Sequence, residues 1–421
     1  MFSFFLLNKH FSNDIIDLFK GVNKMKLSER IQSMQESPVR KLVPYALKAK
    51  SRGKKVYHLN IGQPDIETPK AFMEAINQYD SSVIKYSYSQ GEPALISAIQ
   101  SYFAQDKIHL DNKDILITNG GSEALTFITI AICNPGDEIL IPEPFYTNYN
   151  GFTSEVNVKL VPITTKAETG FRLPSKKEFE KKITKKTKAI LFSNPGNPTG
   201  VILTKEEMNM LKEIAIENDL YIISDEVYRK LAFDGIKSYS MAEISGIDEH
   251  LVIVDSVSKR FSACGARIGA IISKNNELMK HLLKLCQARL CVATLEQIGA
   301  AALYALPMSY TDDITAIYQR RRDIVYQALS QIDGVVCKKP QGAFYVVAKL
   351  PIDDAEDFCL WLLNDFEDQG ETVMLAPAQG FYASKGMGKN EVRIAYVLNE
   401  NDMKRSMEIL KKAIKKYQKE S

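Results

Sequence analysis

Five times between residues 114 and 262 a short apolar run gives way to polar residues and then to helical spacing. The stretches are DILITNGGSEAL (114–125), DEILIPEPFYTNY (137–149), KAILFSNPGNPTG (188–200), DLYIISDEVYRKL (219–231) and HLVIVDSVSKRFS (250–262). Between them lie segments such as TKEEMNMLKEIAIEN (204–218), where Thr204 and Glu207 form a capping-box pattern and Met208, Leu211, Ile214 and Ala215 keep one helical face. This alternation predicts an α/β fold, a mainly parallel sheet covered by helices. In such sheets ligands bind outside the carboxyl ends of the strands. The unusual residues of the chain fall at those ends.

Gly120, Gly121 and Ser122 form a tight turn into a helix expected to begin near Glu123, and a helix start with free N–H groups favours a phosphate. Asp225 ends the run YIIS and Tyr228 follows three residues later. Asn194 and Asn197 share a loop with Pro195 and Pro198, and Tyr146 offers a flat aromatic face. Lys259 is flanked by Ser256 and Ser258, with Arg267 available for a dianion. Together these supply a phosphate cradle, a stacking face, a carboxylate, a phenol, an amide and an amine, which is what pyridoxal 5′-phosphate requires of a protein.

Composition narrows the rest. The 421 residues, 45% hydrophobic, are enough to bury a large core. Fifty-four basic against 51 acidic side chains leave a net charge of +3, far from what a nucleic acid partner selects. The six cysteines are scattered and the five histidines unclustered, so neither a zinc site nor a disulfide framework is expected, and a reducing, cytoplasmic setting is. No run of about 18 apolar residues suggests a membrane span. Residues 1–24 are too short of an apolar core, and lack leading basic residues, for a secretory signal; they are read as an extension that is not native or is poorly ordered. The lysine-rich 176–188 reads as a solvated helix face, and Tyr86 and Tyr88 have the alternate spacing of a half-buried strand.

The segments NPGNPTG, SDEVY and SVSKRFSACGARIG, supported by NIGQPD (60–65), KYSYSQG (85–91), QGAFY (341–345) and EVRIAY (391–396), resemble the class I aminotransferases of the fold type I PLP enzymes. The likeness runs in the family's order from about residue 38 almost to the C-terminus. It implies a large PLP-binding domain over 73–305 and a smaller α/β domain built from 25–72 and 306–421, with 1–24 as the extension. It also implies a homodimer with shared sites, acting on small-molecule substrates, an amino acid and a 2-oxo acid.

The resemblance assigns roles residue by residue. Lys259 would hold the cofactor covalently and shuttle the proton, Asp225 would keep the ring nitrogen protonated, and Tyr228 and Asn197 would hold the ring oxygen. Gly120, Gly121, Ser122, Ser256, Ser258 and Arg267 would bind the phosphate, Tyr146 would stack on the ring, and Tyr86 would reach the neighbouring subunit's phosphate. Arg393, with Asn197 and Gly62, would grip the substrate's α-carboxylate. Arg260 has no role on this reading, and Cys264 reads as small packing. Departures bear on the substrate: Ser122 stands where relatives selective for acidic substrates carry lysine, and Ala266 where many carry tryptophan. Arg289 is then the candidate for a distal carboxylate. Transfer between aspartate and 2-oxoglutarate leads, with neutral or aromatic substrates, or a same-fold lyase, as alternatives.

Overall fold

The computed structural model describes residues 25–420, so the expectation for residues 1–24 lies outside the described residues. The described residues up to Met34 belong to a unit of their own, which holds the short helix Glu29–Ser33 capped by Ser28. From Gln35 onward the chain forms a second unit.

That second unit is built on twelve strands in three sheets. The largest uses β2 (Ile115–Thr118), β3 (Glu138–Glu143), β4 (Lys159–Thr164), β5 (Thr187–Ser193), β6 (Tyr221–Asp225), β7 (Leu251–Ser256) and β8 (Gly269–Ile272), in the order β2-β8-β7-β6-β5-β3-β4. The run from β7 to β4 is parallel, and only β8 runs against its neighbours. A second sheet pairs β1 (Lys55–His58) with β10 (Glu371–Met374); a third sets β12 (Glu391–Ala395) between β11 (Ala376–Pro377) and β9 (Tyr345–Lys349).

The middles of the seven strands are apolar because both faces are covered. Ile117, Leu140, Ile190, Ile222 and Ile253 pack into the core on one side, while Leu116, Ile139, Leu191, Ile223 and Val252 pack into a separate core on the other. Each such side chain removed from water contributes about 1.5–3 kcal/mol. The helix Lys205–Glu217 covers one side as its pattern predicts: both arms of the Thr204/Glu207 capping box form, and Met208, Leu211, Ile214 and Ala215 are the buried residues. Among the described residues no helix is long and apolar enough to cross a membrane.

The topology explains where the motifs meet. Parallel β5, β6 and β7 lie side by side, so the loop after Ser193, the carboxylate of Asp225 and the segment after Ser256 open at one edge. Because β8 is antiparallel, its start rather than its end lies there, which brings Arg267 beside the end of β2. In the third sheet Arg393 of β12 stands opposite Val347 of β9, which begins at Tyr345 of the QGAFY segment. The seven-stranded sheet lies wholly within 73–305 and the other two outside it; the two-domain division at those boundaries is kept as our proposal.

Three local expectations need correction. The helix after the glycine pair starts at Gly120, not near Glu123, because Gly120 takes the turn at φ 72° and the Glu123 carboxylate reaches back to the Asn119 amide (2.8 Å). The lysine-rich segment is helical only over Lys176–Glu180; beyond it the Thr184 amide turns onto the Thr187 hydroxyl (2.9 Å). Tyr86 and Tyr88 lie in no strand: the chain there is irregular, and both rings are exposed.

Candidate active site

One cavity of about 390 Å³ opens at the strand ends, lined by Gly62, Gly121, Ser122, Tyr146, Asn197, Asp225, Tyr228, Ser256, Ser258, Lys259, Arg267 and Arg393. Of the residues expected to bind the cofactor or the α-carboxylate, only Gly120 and Tyr86 are not part of this lining. Gly120 is the residue before it, at the helix start, and Tyr86 is 82% exposed away from the cavity of its own chain.

The lysine and the glycine meet directly. Lys259 Nζ donates to the Gly62 carbonyl (3.1 Å) and has no carboxylate partner among the described residues. Gly62 is required by a close approach, since a Cβ there would lie 1.7 Å from the Tyr345 hydroxyl. Cys264, read as packing, lies in the cavity wall with its Sγ 3.9 Å from Lys259 Nζ.

Asp225 is fully enclosed at the end of β6. Its Oδ2 accepts from the Tyr149 hydroxyl (2.7 Å) and its Oδ1 from the Val227 amide (3.4 Å). Burial pushes its carboxyl up to about 6, against the hydrogen bond from Tyr149 that favours the charged form. Tyr228 pairs hydroxyl to hydroxyl with Tyr345 (3.0 Å), and burial raises its pKa well above the ordinary value. Tyr146 stands edge-on to Tyr149 at 5.4 Å; burial pushes its hydroxyl up to about 12, with Arg393 and Arg40 acting against that rise.

The anion end is assembled from three elements. Helix Gly120–Ile132 presents its unbonded first N–H groups. Ser256 Oγ and Ser258 Oγ lie 2.7 Å apart. Arg267, itself at φ 55°, donates to the carbonyls of Cys264 (3.2 Å) and Asn119 (3.4 Å). A Cβ on Gly120 would lie 2.5 Å from Arg267 Nη2, so glycine there is what lets the guanidinium settle over the turn.

Arg393 is 3% exposed and has no acidic partner among the described residues. It donates to Asn197 Oδ1 (3.2 Å) and to the Asn60 carbonyl (2.5 Å), and its guanidinium lies over the Tyr345 ring at 4.5 Å. Its Nε has no partner, and burial lowers its pKa. An enclosed guanidinium without a counter-ion is costly unless a ligand supplies the anion.

Sequence reasoning missed Tyr345 and Cys264 as parts of this cavity, and Tyr149 as the hydroxyl that holds Asp225. Their signals were present in Tyr149 three residues after Tyr146 and in the QGAFY and SACGAR segments. Two other arginines lie outside it. Arg260 is buried in a two-pronged pair with Asp255 (2.8 and 2.5 Å), beneath the Lys259 segment. Arg289, the candidate receptor for a distal carboxylate, is bound instead to Glu123 (2.8 Å). Asn194 is also turned to a structural task, accepting from the Leu203 amide (3.0 Å) and donating to the Tyr239 carbonyl (3.2 Å).

Residues 54–410 match the family described as Aminotransferase class I and II. The chain is 30% identical over 404 residues to the aspartate aminotransferase of Bacillus subtilis (strain 168), covering 93% of this chain and 100% of that protein. It is 29% identical to aromatic-amino-acid aminotransferase 2 of Thermococcus litoralis, over 93% of this chain and 99% of the relative. Among solved structures it is similar to an alanine aminotransferase from Pyrococcus furiosus, with TM-score 0.85, 29% identity and coverage of 93% and 100%. The aspartate aminotransferase from Rhizobium meliloti gives TM-score 0.85 at 28% identity, with coverage of 93% and 99%.

Proposed function

The chain belongs to the class I and II aminotransferase family, and on that premise we propose that it moves an amino group between an acidic L-amino acid, aspartate foremost, and 2-oxoglutarate. It is an aminotransferase, and members of this family use pyridoxal phosphate. The observation that carries the reading is the buried Arg393, without an acidic partner, in one cavity with Lys259 and Asp225. The aspartate aminotransferases among the relatives support the acidic substrate.

The donor set fits the cofactor. The Gly120 turn leaves room for the Arg267 guanidinium above free helix amides, a cradle that a Cβ would fill. Asp225 is an enclosed carboxyl at the bottom of the cavity, suited to a cationic ring nitrogen. Tyr146 supplies a face, and Tyr228 with Asn197 supplies donors to a ring oxygen. When bound, pyridoxal phosphate supplies an electron sink and carries the amino group between the two halves of the reaction.

The residues of this chain do the rest. Arg393 takes the substrate's α-carboxylate, with Asn197 beside it, and fixes the α-carbon relative to Lys259. Lys259 Nζ, which donates to the Gly62 carbonyl in the cofactor-free chain and would hold the cofactor covalently until substrate arrives, accepts the α-proton and returns it. Asp225 would hold a proton on the cofactor's ring nitrogen, with Tyr149 keeping the carboxylate oriented. Tyr86, exposed beside the apolar Val83 and Ile84, contributes to the partner subunit's phosphate site in a homodimer.

The test is product analysis with purified, cofactor-loaded protein. Aspartate and 2-oxoglutarate should yield oxaloacetate and glutamate in equal amounts. Release of pyruvate or ammonia without amine transfer would sink the reading in favour of a lyase. Faster transfer from alanine or phenylalanine than from aspartate would replace the acidic substrate with a neutral or aromatic one.

A further inference from the structure

An acidic substrate carries a second carboxylate, and the following rests on the acidic reading above. Ser122 supplies no charge. Arg289 is neutralised by Glu123, and its other nitrogen donates to the carbonyls of Ser89 (3.2 Å) and Ile117 (3.4 Å). Four cationic residues line the cavity: Arg40, Lys259, Arg267 and Arg393. Three are engaged, Lys259 by the chemistry, Arg267 by the phosphate cradle and Arg393 by the α-carboxylate. The guanidinium of Arg40 has no hydrogen-bond or ion-pair partner among the described residues. We infer that Arg40 is the receptor for the substrate's distal carboxylate and sets selectivity for dicarboxylic amino acids and 2-oxo acids.

The backbone around Arg40 is fastened in a way that suits this task. Its own amide donates to the Ser37 carbonyl (3.1 Å), and its carbonyl accepts from Val43 (3.0 Å), the first residue of the helix Val43–Ser51. Pro38 is buried and packs where a Cβ on Gly380 would lie 2.5 Å from it. Asn60 Nδ2 donates to the Val39 carbonyl (3.3 Å), while the Asn60 carbonyl accepts from Arg393 (2.5 Å). One buried asparagine therefore ties the turn that bears Arg40 to the arginine that would hold the α-carboxylate. Two guanidiniums facing one space, Arg393 buried and Arg40 at its exposed side, are what a dicarboxylate needs, and both act electrostatically on the Tyr146 hydroxyl that lines the space. A guanidinium presents a planar fork that lysine does not, so exchange for lysine keeps the charge and loses the two-pronged geometry.

The experiment compares cofactor-loaded wild type, Arg40→Gln and Arg40→Lys. Single-turnover amine transfer is followed with aspartate, glutamate and alanine, and binding of the unreactive succinate and butyrate is measured by calorimetry. In Arg40→Gln the ratio of kcat/KM for aspartate to that for alanine should fall about ten- to a hundredfold, chiefly through KM, as for loss of a hydrogen-bonded charge pair. The ratio of succinate to butyrate affinity should fall by a similar factor, and Arg40→Lys should recover part of both. Unchanged ratios in Arg40→Gln, in an enzyme that still prefers aspartate, would overturn Arg40 while leaving the acidic reading intact. A wild type that prefers alanine, and binds succinate no better than butyrate, would overturn both.

Discussion

Asp225 is the residue whose chemistry the fold strains most. Burial raises its carboxyl from the ordinary 3.8 to about 6, which at about 1.4 kcal/mol per pH unit amounts to about 3 kcal/mol. The sign follows from the direction. Folding favours the protonated form, so the advantage is complete below about pH 4 and is lost as pH rises through about 6. Above that, the cofactor-free protein keeps a buried anion that the Tyr149 hydroxyl, a backbone amide and the charge of Lys259 relieve only in part. Cofactor-free Asp225→Asn should therefore be more stable than cofactor-free wild type at pH 8, by up to about 3 kcal/mol, with the difference closing toward pH 4. Urea denaturation across that range measures it, and a pH-independent difference would contradict the account. The same variant, loaded with cofactor, should lose nearly all turnover, because an amide does not hold a proton on the ring nitrogen. Asp225 and Lys259 were legible because each is a polar residue interrupting the end of an apolar run. Tyr149 was not, since a tyrosine one helical turn after another looks like packing until the carboxylate beneath it is seen. Nor was Arg260 legible: its partner Asp255 is five residues earlier, and only the turn after β7 folds the guanidinium back onto it.

Elements were legible to the extent that hydrophobic period determines them. Both-faced burial makes β3, β5, β6 and β7 unmistakable apolar runs, whereas the direction of β8 leaves no trace, because GAII reads alike whichever way it pairs. That hidden reversal is what brings Arg267 to the helix Gly120–Ile132. The start of that helix was misplaced because two glycines read as a turn, while the structure uses Gly120 as the first helical residue at positive φ. Gly120→Ala puts a methyl group 2.5 Å from Arg267 Nη2 and forces alanine into the left-handed region. It should lower stability by about 1–2 kcal/mol. It should also weaken retention of pyridoxal phosphate during dialysis, by displacing the arginine from the cradle. Thermal denaturation and residual cofactor absorbance read the two effects, and full retention of cofactor would argue that Arg267 does not bind the phosphate.

At the scale of the whole molecule, an apolar surface surrounds the residue assigned to a neighbour. Val83 (58% exposed), Ile84 (63%), Tyr86 (82%) and Tyr88 (64%) are adjacent, a patch of the kind that marks association. If dimers share sites, mixing Tyr86→Ala with Lys259→Ala and allowing subunits to exchange forms hybrids in which one site has both native residues. Activity at limiting cofactor should then exceed the sum of the separate variants, and strict additivity would refute the exchange of Tyr86. The sequence could name Tyr86 only through resemblance, since no single-chain pattern reveals what another chain covers. All of this depends on one claim, that the cavity at the strand ends holds pyridoxal phosphate on Lys259. Borohydride reduction of the loaded protein followed by peptide mass spectrometry tests it most directly. The account predicts one reduced phosphopyridoxyl group per chain, on Lys259 and absent from Lys259→Ala; modification of any other lysine, or undiminished labelling of Lys259→Ala, would contradict it.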